Sequence, residues 1–204
     1  MPYFIPNETL ETTLEIKKSV FHARIGPAKT RQDAMSLVEA CKHDYPDARH
    51  HCWAYKLGDP SCPVNAGMSD DGEPSGTAGK PMLNVLQHKD IGDIAVVVSR
   101  YFGGTKLGAG GLVRAYSGAV QQTAEKLQVV KHLSLMKVTV ETEFKHEQYF
   151  RHFVQQHQGL VEHCEYSNKV IMTLAIPAVI ECELKAFAAS INTCLLYTSP
   201  SPRD

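Results

Sequence analysis

Residues 93–111 read Asp93-Ile-Ala-Val-Val-Val-Ser-Arg-Tyr-Phe-Gly-Gly-Thr-Lys-Leu-Gly-Ala-Gly-Gly111. The part through Phe102 is rich in β-branched residues and predicts a buried, central strand. The glycines then turn the chain, and Leu112–Leu127 carries apolar side chains at helical spacing. The stretch therefore predicts a strand, a glycine turn and a helix, an arrangement that leaves backbone N–H groups facing outward where the helix begins.

The chain upstream of this stretch alternates between strand and helix patterns. The long segment Gly58–Gly79 is crowded with Gly, Pro, Ser and Asp, and we predict an irregular loop there. The regular elements that we predict are one or two strands in Thr12–Arg24, a helix over Ala28–Tyr45, a strand over His51–Leu57 and a short helix over Pro81–Gln87.

Downstream of Lys131 the pattern changes, and we place a domain boundary there, between residues 1–130 and 131–193. The order strand, helix, strand, strand, helix is one strand short of a ferredoxin-like split β-α-β unit. The predicted fold class is thus α+β with two domains. The elements of the second domain are predicted over Leu133–Glu143, Phe144–His157, Leu160–Tyr166, Lys169–Ile176 and Ala178–Ile191.

The last residues, Cys194-Leu-Leu-Tyr-Thr-Ser-Pro-Ser-Pro-Arg-Asp204, match one reading frame of a transposase adaptor used to prepare sequencing libraries. We interpret residues 194–204 as adaptor sequence, so the native sequence after Thr193 is not given; the alternative is a natural polar tail after a short strand. Because Cys194–Thr198 is short, apolar and β-prone, we expect it to occupy the missing strand position. Ser199–Asp204 should hang free, since its prolines cannot donate to a sheet.

Composition narrows the class of protein. The 204 residues carry 21 basic and 22 acidic side chains, so a polyanion could bind only at a local patch. Six cysteines without a C-x-x-C pair argue against a zinc ribbon or a disulfide framework. The sequence has no apolar run of the about 20 residues that a membrane helix needs and no signal-peptide pattern at its start, so we expect a cytoplasmic protein with reduced thiols.

Three motifs resemble one known family. The run Gly79-Lys-Pro-Met-Leu83, followed by Val97-Val-Ser-Arg-Tyr-Phe-Gly-Gly-Thr-Lys-Leu-Gly108, is similar to the diagnostic pattern of the IMPACT/YigZ family. Ser69-Asp-Asp-Gly-Glu-Pro-Ser-Gly-Thr-Ala-Gly79 resembles its second hallmark, and Ala48-Arg-His-His-Cys52 a third. The resemblance implies a ribosomal-protein-S5-domain-2-like domain, then a ferredoxin-like domain similar to one in elongation factor G, in a cytosolic family tied to translation and RNA.

The glycine-rich segment also predicts a phosphate or nucleic-acid site. Basic and aromatic side chains among closely spaced glycines are typical of a phosphate-cradling turn with a stacking surface. The alternative is that the glycines only permit tight turns and close packing. The candidate residues are Arg49, Lys80, Arg100, Tyr101, Gly103, Gly104, Lys106 and Arg114, and we expect Arg100, Lys106 and Arg114 to form one cleft with the loop Ser69–Lys80.

One position departs from the family pattern. Lys17-Lys-Ser-Val20 has valine where the family usually has arginine, so a phosphate ligand could be missing there. His50, His51 and Cys52 lie on a predicted strand, whose side chains alternate between faces, and we interpret them as a structural histidine and a buried thiol rather than a metal site.

Asp70, Asp71 and Glu73 place three carboxylates within four residues. Such a cluster is either a weak candidate for Mg²⁺ or an acidic turn whose side chains accept from nearby N–H groups, and we favour the turn.

The leading hypothesis is therefore a noncatalytic regulator of translation that associates with RNA, the ribosome or translation factors, without a cofactor and without a membrane partner. The alternative is a metal-dependent hydrolase or phosphotransferase that uses Asp70, Asp71 and Glu73. No Gly-x-Ser-x-Gly elbow is present, so covalent hydrolysis has weak support. The sequence does not define the oligomeric state or the RNA target.

Overall fold

A computed structural model describes residues 3–132, 135–191 and 193–196, which form a mixed α/β protein. These residues divide into two compact units, one of residues 3–132 and one of residues 135–191 and 193–196. No helix in the described ranges is long and apolar enough to cross a membrane.

The elements of the first unit are β1 Tyr3–Pro6, β2 Leu10–Ile16, β3 Ser19–Pro27, α1 Arg31–Asp44, β4 His50–Leu57, β5 Asn65–Ser69, α2 Gly79–Gln87, β6 Ile94–Tyr101, α3 Ala109–Lys126 and β7 Val129–His132. The unit is built on a five-stranded antiparallel sheet with the strand order β2-β3-β6-β4-β5. One helix, α1, packs on one face of this sheet, and α2 and α3 pack on the other. A short antiparallel ribbon of β1 and β7 completes the unit.

Strand β6 is the middle strand of the sheet, as the apolar run predicted. Val96 and Val98 pack toward α2 and α3, whereas Ala95 and Val97 pack toward α1. Because helices cover both faces of the sheet, the side chains on both faces of this strand must be apolar or small. This explains why the run has no polar alternation until Ser99 and Arg100.

Helix α1 begins at Arg31 rather than at the predicted Ala28. Thr30 is its N-cap: the Thr30 side chain accepts from the Asp33 N–H at 3.1 Å, and Asp33 Oδ2 accepts from the Thr30 N–H at 2.9 Å. Such a reciprocal capping box sets the first helical residue. The prediction was three residues early because the box was overlooked.

The prediction of an irregular loop over Gly58–Gly79 is wrong for one part of it. Asn65–Ser69 forms the edge strand β5, paired with β4. Most of its side chains are exposed, so the strand needs no apolar alternation. Gly67 is present because a Cβ there would lie 2.7 Å from the Tyr55 ring, so this glycine permits close packing rather than a turn.

The second unit has the element order β-α-β-β-α-β. The elements are β8 Leu135–Thr142, α4 Glu147–Gln156, β9 Leu160–Tyr166, β10 Val170–Pro177, α5 Glu181–Ser190 and β11 Cys194–Leu196. The antiparallel sheet of this unit has the order β11-β8-β10-β9, and its core includes Val140, Phe150 and Leu174. As expected from its composition, Cys194–Leu196 pairs with β8 as an edge strand, while residues 197–204 lie outside the described residues.

Candidate anion-binding site

A cavity of about 440 Å³ lies in the first unit, where the end of β6 meets the start of α3. It opens on the sheet face that α2 and α3 cover. Its wall combines basic side chains with apolar ones and a single carboxylate. The lining residues are Arg49, His50, Glu73, Pro74, Arg100, Phe102, Lys106, Leu107, Gly108, Ala109 and Leu112.

The first turn of α3 forms one side of this cavity. Gly108 is the N-cap residue with φ of 71°, no side chain caps this end, and the first turn carries no acidic residue. The partial positive charge of a helix start is therefore not neutralised within the helix, and its N–H groups can donate hydrogen bonds to an anion. Lys106 is exposed two residues before the cap and adds a full positive charge.

A buried ion pair closes the inner end of the cavity. Arg100 Nη1 donates to Glu73 Oε1 at 2.5 Å, and the Tyr116 hydroxyl donates to the same oxygen at 2.9 Å. The two charged side chains are 7% and 4% exposed. Arg100 also lies over the rings of Phe21 and Phe102, and its buried Nε has no hydrogen-bond partner among the described residues. The pair therefore holds both charges at the cavity wall.

Residues at the start of β4 form the side of the cavity that faces the first turn of α3. The Arg49 N–H donates to the Arg100 carbonyl at 3.1 Å, which places Arg49 at the rim with an exposed side chain. His50 Nδ1 lies 2.7 Å from the Asp71 carbonyl, and its Nε2 lies 4.0 Å from Glu73 Oε1. The loop that contains Asp71 and Glu73 thus meets the start of β4 and the end of β6 around one opening.

Asp70 organises the loop next to the cavity. Its carboxylate accepts from the backbone N–H groups of Gly76 at 2.7 Å, Ala78 at 3.0 Å and Gly79 at 2.8 Å. Burial alone would raise the pKa of Asp70, but these three hydrogen bonds outweigh it and lower the pKa below its usual value. Ala78 and Gly79 start α2, so Asp70 acts as the acceptor that this helix lacks locally.

The three loop carboxylates do not converge on a common point. Asp70 binds backbone N–H groups, Asp71 Oδ2 accepts from the His51 N–H at 2.6 Å, and Glu73 binds Arg100 and Tyr116. In the part of the chain that the structure describes, no three His, Cys, Asp or Glu side chains are grouped as a metal site. Each of the three carboxylates thus accepts from its own donors, as in an acidic turn.

The structure brings only some of the candidate residues together. Arg49, Arg100 and Lys106 line the cavity, whereas Lys80 lies in a second hollow with Asn84 and His88. Arg114 is not a lining residue, although its Nη1 lies near Gly110 in the first turn of α3. The expected cleft thus forms without Arg114.

The two glycines after β6 have different roles. A Cβ on Gly103 would lie 1.9 Å from the carbonyl carbon of Lys18, so Gly103 permits close packing of backbone on backbone. Gly104 has φ of 83°, a conformation that glycine adopts without strain. Close packing accounts for Gly103, and the backbone conformation of a turn accounts for Gly104.

The Tyr101 side chain points away from the cavity, whereas Phe102 lines it and is the aromatic residue available for stacking. The Tyr101 ring lies 5.9 Å from His22 and 6.4 Å from Tyr45, on the face that α1 covers. Val20 pairs directly with Tyr101 and shares that face, so the family arginine missing at Val20 would not point into this cavity. Alternation along β6 already places Arg100 and Tyr101 on opposite faces.

His51 is buried on the α1 side, with Nδ1 2.9 Å from Ser99 Oγ. Burial lowers the pKa of His51 from 6.5, so the unfolded chain binds more protons as the pH falls through 6.5. We expect the free energy of unfolding to fall between about pH 7.5 and 5.5. His51→Asn should reduce that fall, measured by urea denaturation, whereas His43→Asn at an exposed position should not. An equal slope in wild type and His51→Asn would contradict this.

Comparison with known proteins identifies the family. Residues 17–124, more than half of the chain, match the Impact N-terminal domain. IMPACT family member YigZ of Escherichia coli (strain K12) is 37% identical over 190 residues, covering 93% of this chain and 93% of that protein. IMPACT family member YvyE of Bacillus subtilis (strain 168) is 36% identical over 168 residues, covering 82% and 76%. The chain belongs to the IMPACT family, as the motifs indicated.

A solved structure is similar over the whole chain. The crystal structure of a hypothetical protein has a TM-score of 0.73 and 35% sequence identity, and it covers 98% of each chain. The mixed α/β fold described above is therefore shared with a solved relative.

Proposed function

We propose that this protein is a cytosolic, noncatalytic RNA-binding protein that acts with the ribosome or with translation factors, and that the cavity binds RNA phosphate. The observation that carries this is the convergence of Arg49, Lys106 and the uncapped start of α3 on one opening. Phosphate contacts from basic side chains and helix N-termini supply most of the affinity in nucleic-acid binding.

Two further observations support binding rather than covalent chemistry. The buried thiol of Cys52 donates to the Asp70 carbonyl at 2.9 Å, and burial raises its pKa, so it remains protonated and a poor nucleophile. Glu73 is held by both Arg100 and Tyr116. The polar groups at the inner wall thus position one another.

We also propose the domain architecture that the resemblance implies. The order β-α-β-β-α-β, with the two central strands β8 and β10 flanked by β11 and β9, supports a ferredoxin-like second domain. The first domain would be ribosomal-protein-S5-domain-2-like. A translation-factor type of second domain agrees with a ribosomal partner, although function must be tested at the site.

The double variant Arg49→Ala/Lys106→Ala tests the proposal. It should weaken binding of a fluorescently labelled single-stranded RNA by roughly tenfold at moderate salt and flatten the salt dependence by about one to two units of log–log slope. Fluorescence anisotropy across a salt series measures both. Arg100 is left intact because it is buried in an ion pair.

Two controls accompany that experiment. Lys126→Ala removes an exposed lysine at the opposite end of α3 and should leave RNA binding unchanged. Asp71→Asn alters the loop without removing a positive charge and should also bind normally. Unchanged affinity and slope in the double variant would show that the cavity is not the RNA site, and cosedimentation with ribosomes, with and without nuclease, tests the partner.

A further inference from the structure

The inner end of the cavity contains an unused hydrogen-bond acceptor. Glu73 Oε1 receives both hydrogen bonds, from Arg100 and Tyr116, and Oε2 has no hydrogen-bond partner among the described residues. The side chain is only 4% exposed and belongs to the cavity wall. Oε2 is not one of the fully buried unpartnered atoms of the described residues, so part of its surface stays accessible. A ligand that donates a hydrogen bond here would satisfy Oε2, whereas a phosphate would be repelled by it.

The outer part of the cavity has the opposite chemistry. Lys106, Arg49 and the start of α3 favour an anion there. The same cavity is also lined by apolar side chains, those of Leu107, Leu112 and Phe102, and Phe102 is 47% exposed. An exposed aromatic ring beside a basic side chain is the usual surface for stacking an unpaired base. The cavity therefore offers an anion site, an apolar wall and an unpaired carboxylate acceptor in one volume.

We propose that the cavity accommodates one unpaired ribonucleotide of RNA. Its phosphate binds Lys106, Arg49 and the start of α3, its base stacks on Phe102, and its ribose 2′-hydroxyl donates to Glu73 Oε2. Carboxylates bind ribose hydroxyls in this way in dinucleotide sites. A volume of about 440 Å³ lies within the range of small-molecule pockets. This inference rests on the proposed RNA binding, and it adds that the site selects ribose over deoxyribose.

The test uses the full chain and three competitors against labelled single-stranded RNA. Adenosine 5′-monophosphate should displace the RNA about tenfold more strongly than its 2′-deoxy analogue, because a hydrogen bond to a buried carboxylate is lost in the latter. Inorganic phosphate should be weaker still. Equal competition by the ribo and deoxy forms, or by phosphate alone, would overturn the inference.

The stacking contact is tested by Phe102→Ala. Binding of adenosine 5′-monophosphate should weaken by roughly tenfold, as expected for the loss of one base–aromatic stack. Phe144→Ala is the matched control, because Phe144 is 54% exposed in the second unit and should have no effect. Equal effects of the two variants would contradict the assigned position of the base.

The outcomes separate the two proposals. If labelled RNA does not bind the wild-type chain, the proposed function fails and the inference with it. If RNA binds and depends on Arg49 and Lys106, but the monophosphate does not compete, only the single-nucleotide inference fails. The comparison of ribo and deoxy ligands needs no substitution at Glu73, whose replacement would disturb the buried ion pair.

Discussion

Glu73→Ala is expected to lower the free energy of unfolding by about 3–5 kcal/mol, because it leaves the Arg100 guanidinium buried without a counter-charge. Arg100 is 7% exposed, and its Nη1 donates only to Glu73 among the described residues. The Tyr116 hydroxyl loses the same acceptor. Urea denaturation of wild type and variant measures the difference.

Two comparisons show whether the loss comes from the unpaired charge. Glu39→Ala removes a 70% exposed carboxylate that pairs with Lys42 in the same unit, and it should cost less than about 1 kcal/mol. Glu73→Met combined with Arg100→Met removes both charges and should recover much of the stability. A double variant as unstable as Glu73→Ala would show that packing, and not the unpaired guanidinium, explains the effect.

Two strands were predictable from local sequence. Strand β9 was predicted with its observed limits, Leu160–Tyr166, because the turn residues Gly159 and Ser167 bound a short run that suits a strand. Strand β6 was recognised by its continuous β-branched run, which fits a strand that is covered on both faces. In β6 the burial of the strand's own side chains produced the signal, whereas no side chain of β9 is fully buried.

Strands that depend on pairing were missed. Tyr3–Pro6 and Val129–His132 form the β1–β7 ribbon, whose partners are more than 120 residues apart, and each strand has only four residues. Edge strand β5, Asn65–Ser69, is mostly exposed and therefore lacks an apolar pattern. These strands are defined by backbone hydrogen bonds to distant segments, which local sequence does not report.

The candidate site was only partly predictable for a similar reason. Lys106 could be found because it lies within the glycine turn that starts α3. Glu73 was considered only as a metal ligand, because its hydrogen-bond partners Arg100 and Tyr116 lie 27 and 43 residues away in the sequence and could not be inferred from it. His50 was overlooked as a cavity residue because its role depends on the neighbouring loop. The positions of Glu73 and His50 at the site follow from contacts between distant segments of the chain, and the spacing of residues along the sequence does not reveal such contacts.

Asp70→Asn should lower the free energy of unfolding by about 3 kcal/mol, as one amide oxygen cannot replace a carboxylate that accepts three charge-assisted hydrogen bonds. The loss is large because an asparagine oxygen can keep the two donors on Oδ1, Ala78 and Gly79, only by turning its NH2 group, a donor, toward the Gly76 N–H. Asp71→Asn is the matched control: its carboxylate accepts from a single backbone N–H of β4, that of His51, so we expect a loss of about 1 kcal/mol. Urea denaturation of the three proteins gives the comparison.

The acid dependence of stability provides an independent check on Asp70. Its pKa is lowered in the folded state, so the charged carboxylate stabilises the fold above the unfolded pKa of about 3.8, and this stabilisation is lost as the pH falls through the lowered folded value. Asp70→Asn cannot titrate, and the difference in unfolding free energy between it and wild type should shrink as the pH falls below 3.8. A constant difference down to the acid limit of folding would mean that the charge of Asp70 contributes nothing, and that the loop depends on packing around Ala78 instead.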